Sequence, residues 1–239
     1  MKKYLIFFTT LISQLTFAQQ DCLPGNAQYY YPSGKIVQHL STSGAFLNNS
    51  SGESGYNYLI NDEPISLIYT GGIWIAAIDN DGKPRFSGTT YVTNNNKSDW
   101  SPGPIPENGA AITASHCKYW DQFFVVDRED FLTAVALMYN SNGSINKDNC
   151  DKLPKSILGW PGRSNPHFES VHGFNLPDHT VASFFDNDGD GRYDPCSGDL
   201  PMLDPYGAQI NTFEDVVATF PDRLSLNILN DRGSDNTLS

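Results

Sequence analysis

The residues best suited to chemistry lie in one aspartate-rich segment, residues 186–199. Its acidic side chains are Asp186, Asp188, Asp190, Asp194 and Asp199. Calcium takes about six to eight oxygen ligands around one point, and carboxylates at alternating positions turn inward together when the backbone curls around an ion. The segment therefore predicts a calcium-binding loop, which we call the aspartate loop.

The residues between the aspartates support this prediction. Gly191 follows the third acidic residue, where the calcium loop of an EF-hand needs a sharp bend. The final acidic position of an EF-hand falls on Ser197, so we expect Asp199 to replace it. No helix is predicted on either side, and the segment resembles the aspartate-rich loops of dockerins and thrombospondin type 3 repeats. The predicted ligands of a structural Ca²⁺ are Asp186, Asp188, Asp190, the Arg192 carbonyl, Asp194 and Asp199.

The alternative interpretation of the aspartate loop is an Asx- and Gly-rich turn without a metal. Five aspartates within fourteen residues repel one another strongly unless a cation neutralises them, so we favour the metal. The shorter acidic segment at residues 79–82 has too few carboxylates for an ion and predicts only a hairpin turn.

Catalytic signals are weak elsewhere in the chain. The spacing of His167, His172 and His179 matches no helical zinc motif. No GxSxG, P-loop or dinucleotide glycine pattern occurs. Carboxylates are so numerous that a glycosidase pair cannot be located. We therefore expect a protein that is not an enzyme.

The four tryptophans raise the question of glycan binding. Trp100 and Trp160 stand beside Pro/Gly segments and are the better candidates for exposure, although packing against prolines is the commoner use of such residues. Trp74 and Trp120 lie in predicted strands and are expected in the core.

The charge balance limits the classes of partner. The chain has 15 basic and 27 acidic residues, for a net charge of −12. Such a surface repels phosphate backbones and anionic lipid head groups, so neither nucleic acid nor membrane insertion is expected. The expected partner is a surface protein or a glycan that the sequence does not identify.

Residues 1–18 predict an export signal. Lys2 and Lys3 precede a short apolar stretch, and Ala18 supplies a small residue at the cleavage point. The stretch is too short to span a bilayer. Cys22 lacks the preceding small residues of a lipoprotein signal, so no lipid anchor is expected. The protein is predicted to be secreted or at the cell surface.

The cysteines predict two disulfides in this exported context. Cys22, Cys117, Cys150 and Cys196 allow three connectivities, and their spacings contain no CxxC pair that would indicate zinc. Of the three, we favour a pairing that joins Cys117 to Cys150, because these two bracket the predicted helix.

The remaining pattern predicts a mainly β fold: sandwich-like antiparallel sheets with one helix at about residues 128–140, in a single domain of residues 19–239. Asp127 is the predicted N-cap of that helix, and apolar residues recur on one helical face. Strands are predicted near residues 35–40, 45–47, 65–69, 73–78, 85–92, 120–126, 180–185, 216–220 and 224–229. The strand at residues 73–78 is predicted to be buried.

Several segments, in this order, resemble the N-terminal region of large Bacteroidetes proteins exported by type IX secretion. They are residues 72–91, 99–105 (DWSPGPI), 117–130, 185–201 and 230–231. The resemblance implies a surface or adhesin-like role. Relatives usually continue into further β domains and a C-terminal sorting domain. The chain is therefore expected to be truncated at its C terminus, to stay in the periplasm, or to reach the surface with a partner.

These observations predict a non-enzymatic exported surface or adhesion module that calcium stabilises. One alternative is an accessory domain of a secreted hydrolase acting on polysaccharide, which a deep cleft with two facing carboxylates would favour. The other is a glycan-binding module, which exposed Trp100 or Trp160 would favour.

Overall fold

The computed structural model describes residues 22–47, 54–89, 100–105, 113–203 and 212–231. The predicted export signal lies outside these residues. The strands are β1 (Gln28–Ser33), β2 (Ile36–Ser41), β3 (Ala45–Phe46), β4 (Tyr56–Ile60), β5 (Glu63–Ile68), β6 (Gly71–Gly72), β7 (Ile75–Ile78), β8 (Pro84–Ser87), β9 (Ser101–Pro102), β10 (Phe124–Asp127), β11 (Phe184–Phe185), β12 (Leu200–Pro201), β13 (Arg223–Leu226) and β14 (Leu229–Asn230). The helices are α1 (Ala114–Trp120), α2 (Arg128–Met138), α3 (Lys155–Leu158), α4 (Phe168–His172) and α5 (Phe213–Thr219), with 3₁₀ helices at Lys147–Lys152 and Pro195–Ser197.

The strands of every described sheet pair in antiparallel fashion. One four-stranded sheet has the order β1-β2-β4-β5, and the two-stranded sheets are β3–β6, β7–β8, β9–β14, β10–β13 and β11–β12. Strands hold 32% of the described residues and helices 24%. The strand content exceeds the helix content, which agrees with the predicted mainly β class.

Helix α2 confirms the helix that the sequence predicts. Phe131, Ala134 and Met138 are buried on one face, at the spacing of a helix that packs against a core. Asp127 occupies the N-cap position, but its side chain makes no cap hydrogen bond. Instead it pairs with Arg223, its direct partner in the β10–β13 ladder. The carboxylate therefore ties the helix start to the neighbouring strand.

The expectation of a single helix is wrong, because the described residues contain four further α-helices. These helices have four to seven residues, too few for a 3.6-residue period to become visible in the sequence. Helix α5 replaces a predicted strand at residues 216–220, since the Thr212 hydroxyl caps it by accepting from the Asp215 N–H at 3.2 Å. No helix in the described ranges is both long and apolar enough to cross a membrane.

The hydrophobic core lies in the part of the chain that contains the helices. Its fully buried large side chains include Trp120, Phe131, Trp160, Phe168 and Tyr193. Trp100 is also buried, so neither Trp100 nor Trp160 forms the exposed glycan surface that the sequence suggests. Each indole N–H donates to a backbone carbonyl, as a buried indole requires: Trp100 to Ile73 at 3.1 Å and Trp160 to Ser183 at 3.0 Å.

The prediction of a buried strand at residues 73–78 is wrong in its burial. Strand β7 forms, but its side chains are exposed, and Trp74 beside it is 60% exposed. The hairpin turn predicted at residues 79–82 is present between β7 and β8. There Asp79 accepts from the N–H groups of Asp81 and Lys83 and forms an ion pair with Arg85 at 2.9 Å. Backbone hydrogen bonding from Lys83 contributes most to lowering the pKa of Asp79. Strand β7 is paired with β8 in a two-stranded sheet, and the side chains of β7 are exposed on both of its faces.

Two disulfides are present, as predicted, but their pairing differs from the favoured one. Cys22 pairs with Cys117 and Cys150 pairs with Cys196. The bracketed helix α2 does not bring Cys117 and Cys150 together, because each packs against a segment far away in sequence. Cys117 in α1 faces the N-terminal segment, and Cys150 in one 3₁₀ helix faces Cys196 in the other. Closeness in sequence was therefore a poor guide to closeness in space.

Candidate metal centre

A short strand pair closes the aspartate loop at its base. Strands β11 and β12 are antiparallel, with Phe185 opposite Leu200. Asp186 follows β11 directly and Asp199 precedes β12, so this register brings the first and last aspartates side by side. The pairing explains why Asp199, and not residue 197, occupies the closing position of the loop.

Asp186 organises the outer turn of the loop. Its carboxylate accepts from the backbone N–H groups of Gly189 at 2.8 Å, Asp190 at 3.2 Å and Gly191 at 2.8 Å. Gly189 and Gly191 adopt φ values of +74° and +75°, in the left-handed region that glycine enters without strain. The backbone therefore curls around the Asp186 carboxylate, which confirms the sharp bend predicted at Gly191.

Asp199 is the buried carboxylate of the loop, with 1% of its surface exposed. It accepts from the N–H of Asn187 at 2.8 Å and from the N–H of Asp194 at 2.7 Å. The pKa of Asp199 is raised to about 7, mainly by burial and also by the nearby charges of Asp186 and Asp188, against the lowering effect of the two N–H donors. The site therefore disfavours its own negative charge when no cation is present.

Three carboxylates converge in the loop: those of Asp186, Asp188 and Asp199. One oxygen from each lies within 4.8 Å of the others. Two carboxylates at that separation repel by about 1 kcal/mol in bulk water and by about 3.5 kcal/mol at an effective dielectric constant near 20. A divalent cation placed among them converts this repulsion into attraction, so the group has the charge and the donor type of a hard-cation site.

The carboxylates of Asp190 and Asp194 are not part of this convergent group. The Asp190 carboxylate accepts from the Arg192 N–H at 2.7 Å. The Asp194 carboxylate caps the 3₁₀ helix that contains Cys196, accepting from the Cys196 N–H at 2.9 Å. Both side chains therefore stabilise the loop backbone. Of the five carboxylates predicted as ligands, the structure brings together three, and the Arg192 carbonyl stays a prediction.

Tyr139 is a loop neighbour that the sequence pattern did not single out. It follows the last residue of α2, and its hydroxyl donates to the Gly198 carbonyl and lies 3.5 Å from the Asn187 side-chain oxygen. Burial raises the pKa of Tyr139, and the Asp199 charge adds to the effect. The hydroxyl therefore stays protonated and holds the closing end of the loop against α2.

A second group of donor atoms lies beside the loop and contains Cys150, His167 and Cys196. His167 Nε2 is 3.2 Å from Cys196 Sγ and 3.6 Å from Asp194 Oδ1. The three histidines 167, 172 and 179 do not form a shared metal group among the described residues. His172 instead faces the Gly159 carbonyl at 2.9 Å, and burial lowers its pKa.

One surface cavity of about 500 Å³ bears on the hydrolase alternative. It is lined by Leu23, Pro24, Asn26, Pro102, Ala114, Cys117, Lys118 and Asp121. Among the described residues of that lining, Asp121 is the one carboxylate, and it already accepts from the backbone N–H groups of Asn26 and Ala27. A glycosidase needs two carboxyl groups facing each other across the substrate, and the described lining supplies one of them.

The fold and the loop together define a disulfide-bonded, sheet-rich protein with a candidate cation site. No protein-family model matches the chain, and neither a curated protein nor a solved structure matches it. Its function is therefore inferred from the geometry of the loop and from the exposed surfaces.

Proposed function

We propose that this protein is an exported, non-enzymatic surface or adhesion module whose aspartate loop binds one Ca²⁺ ion. Asp186, Asp188 and Asp199 are the protein ligands. The observation that carries the proposal is the convergence of their three carboxylates within 4.8 Å, with Asp199 buried. Loop carbonyls and water complete the coordination that calcium requires.

The donor set favours calcium over other divalent ions. All three side chains offer hard carboxylate oxygens, whereas zinc is bound mainly through nitrogen and sulfur. Magnesium keeps several waters and is usually bound through one or two carboxylates, whereas this loop offers three. Calcium tolerates irregular arrangements and more ligands, so it fits this loop best.

In this proposal the ion has a structural role. The base of the loop is held by the β11–β12 pair and by the Cys150–Cys196 disulfide, whereas residues 187–192 are exposed. Binding energy at Asp188 orders this exposed turn, because ordering and metal binding are coupled.

The surface role is supported by exposed apolar side chains and by the resemblance to type IX-exported Bacteroidetes proteins. The exposed apolar residues on and beside β4, β5 and β7 include Ile60, Ile65, Leu67, Ile68, Ile73, Trp74, Ile75 and Ile78. Contiguous exposed apolar patches mark interaction sites on proteins. We propose that the partner is a surface protein or glycan, and that residues 1–18 direct export to the cell surface or beyond.

Calorimetric titration of the purified protein with Ca²⁺ tests the ion site. We expect one site per chain, with affinity lost in the double variant Asp186→Asn/Asp188→Asn. Asp81→Asn is the matched control, because it removes one carboxylate from the hairpin turn at residues 79–82 and should leave binding unchanged. Unaltered binding in the loop variant, or absence of calcium binding to the wild-type protein, would refute the site.

Trp74 supports glycan binding as a second candidate function. Its ring is 60% exposed and is held edge-on against Phe86, with ring centroids 5.0 Å apart. An exposed, oriented indole offers a flat face on which a sugar ring can stack. Binding to a polysaccharide panel should be lost in Trp74→Ala and retained in part by Trp74→Phe. Equal binding by both variants and the wild type would exclude this surface.

A further inference from the structure

The group formed by Cys150, His167 and Cys196 has a second chemistry that the aspartate loop does not use. The two sulfur atoms and His167 Nε2 lie within 4.8 Å of one another, and Nε2 is 3.2 Å from Cys196 Sγ. All three residues are partly buried. A histidine nitrogen placed beside both sulfurs of a disulfide is not needed for the disulfide itself.

Three separate elements build this arrangement. Cys150 and Cys196 belong to the two 3₁₀ helices, and His167 is the N-cap residue of α4. The His167 backbone N–H donates to the buried Asn165 side chain at 2.8 Å. Asn165 in turn donates to the carbonyls of Leu158 and Trp160, at 2.7 and 2.8 Å. These hydrogen bonds therefore fix the backbone of His167, from which the imidazole extends.

We propose that reduction of the Cys150–Cys196 disulfide converts this group into a Zn²⁺ site. The ligands are the two thiolates and His167 Nε2, and Asp194 lies beside the fourth coordination position of the zinc ion. A dithiol reductant supplies two electrons and two protons to the disulfide and is itself oxidised to a disulfide. The two thiols formed then release two protons as they bind Zn²⁺, while the imidazole binds as the neutral tautomer with hydrogen on Nδ1.

The distances to His167 fit this chemistry, whereas the two sulfur atoms, bonded to each other in the disulfide, must separate to about 3.8 Å after reduction. Zn–S and Zn–N bonds of about 2.3 and 2.0 Å in a tetrahedron place donor atoms about 3.5–3.8 Å apart. The Cys196 Sγ to His167 Nε2 distance of 3.2 Å needs only a small relaxation to reach that value. Asp194 Oδ1 is 3.6 Å from the same nitrogen, at the separation expected between two ligands of one ion.

The other disulfide supplies an internal control. In the part of the chain that the structure describes, Cys22 and Cys117 form no metal-binding group with a histidine, another cysteine or an acidic residue as a third donor. Reduction there yields two thiols without a nitrogen ligand. The proposed selectivity therefore comes from His167, and it does not depend on calcium binding to the aspartate loop.

The test is zinc binding to the full chain before and after reduction with a phosphine, measured under argon with excess calcium present to occupy the aspartate loop. Co²⁺ in place of zinc reports tetrahedral thiolate ligation through its visible spectrum. We expect one zinc per reduced chain and none per oxidised chain. His167→Gln, which retains both cysteine pairs, should weaken zinc binding by at least ~10-fold, whereas His179→Gln should not.

Circular dichroism of the same samples shows whether the reduced chain stays folded. Equal zinc affinity in His167→Gln and His179→Gln would overturn the proposal, because it would show binding to thiols alone, including those of an unfolded chain. Zinc binding that is the same before and after reduction, or absent after reduction, would also overturn it.

Discussion

Replacing Asp188 by asparagine separates two effects of its negative charge, which are repulsion of the neighbouring carboxylates and attraction of a cation. Asp188 is exposed, and the hydrogen bond described for its carboxylate is a long one, from the Asp190 N–H at 3.3 Å. Asparagine keeps an oxygen acceptor of the same shape, so the local backbone should persist. The substitution removes one of the three carboxylates that lie within 4.8 Å of one another. It should therefore relieve repulsion in the calcium-free protein while removing a ligand from the calcium-bound protein.

The size of the effect follows from linkage. Calcium at about 100 times its dissociation constant stabilises the folded state by about 2.7 kcal/mol. For a chain of 239 residues, each kcal/mol corresponds to about 2–4 °C in Tm, so calcium should raise the wild-type Tm by about 5–11 °C. If Asp188→Asn weakens binding ~10-fold, the same calcium concentration contributes about 1.4 kcal/mol, and a ~100-fold loss leaves about 0.4 kcal/mol.

Thermal unfolding in calcium and in chelator measures both effects in one experiment. We expect Asp188→Asn to match or exceed the wild-type Tm in chelator and to lose at least half of the calcium-dependent rise. Asp81→Asn should behave as the wild type in both conditions. A wild-type Tm that chelation does not change, or a full calcium-dependent rise in Asp188→Asn, would refute the reasoning.

Three further predictions concern pH and packing. Burial raises the folded-state pKa of Asp199 from 3.8 to about 7, so the stability that this group contributes without calcium is lost as pH rises through 7. The calcium-dependent rise in Tm should therefore be larger at pH 8 than at pH 5.5. A rise of the same size at both pH values would contradict this prediction. Trp160→Ala should lower the free energy of unfolding, measured with denaturant, by about 3–5 kcal/mol because Trp160 is 2% exposed. Trp74→Ala should change it by less than ~1 kcal/mol because Trp74 is 60% exposed. Equal losses in the two variants would contradict the burial described. Gly162→Ala places a Cβ 2.5 Å from the Cβ of Tyr193, so the Tm of this variant should fall both in chelator and in calcium. An unchanged Tm would show that the core around Tyr193 rearranges to accept the methyl group.

The sequence predicted the features that rest on local chemistry. Helix α2 and the hairpin turn at residues 79–82 follow from periodicity and turn residues that act within a few positions. The bend at Gly191 follows in the same way. These features formed where they were expected because neighbouring residues alone determine them.

The features that rest on long-range pairing were not predictable from spacing. The sequence named Asp199 as the closing residue of the loop, but it did not predict the β11–β12 pairing that places Asp199 beside Asp186, because two residues per strand are too few to show alternation. The disulfide partners are 95 and 46 residues apart in sequence. Burial of a tryptophan depends on which layer covers its strand, and strand propensity does not carry that information.

The disulfide that joins Cys22 to Cys117 has a consequence for the response of the chain to proteases. It is a covalent bridge across 95 residues that include the whole four-stranded sheet. A single cut in the backbone between these cysteines leaves both fragments attached through sulfur. Shedding the sheet from the helical core then requires a second cut or a reductant, so a nicked molecule keeps its mass until the bridge is opened.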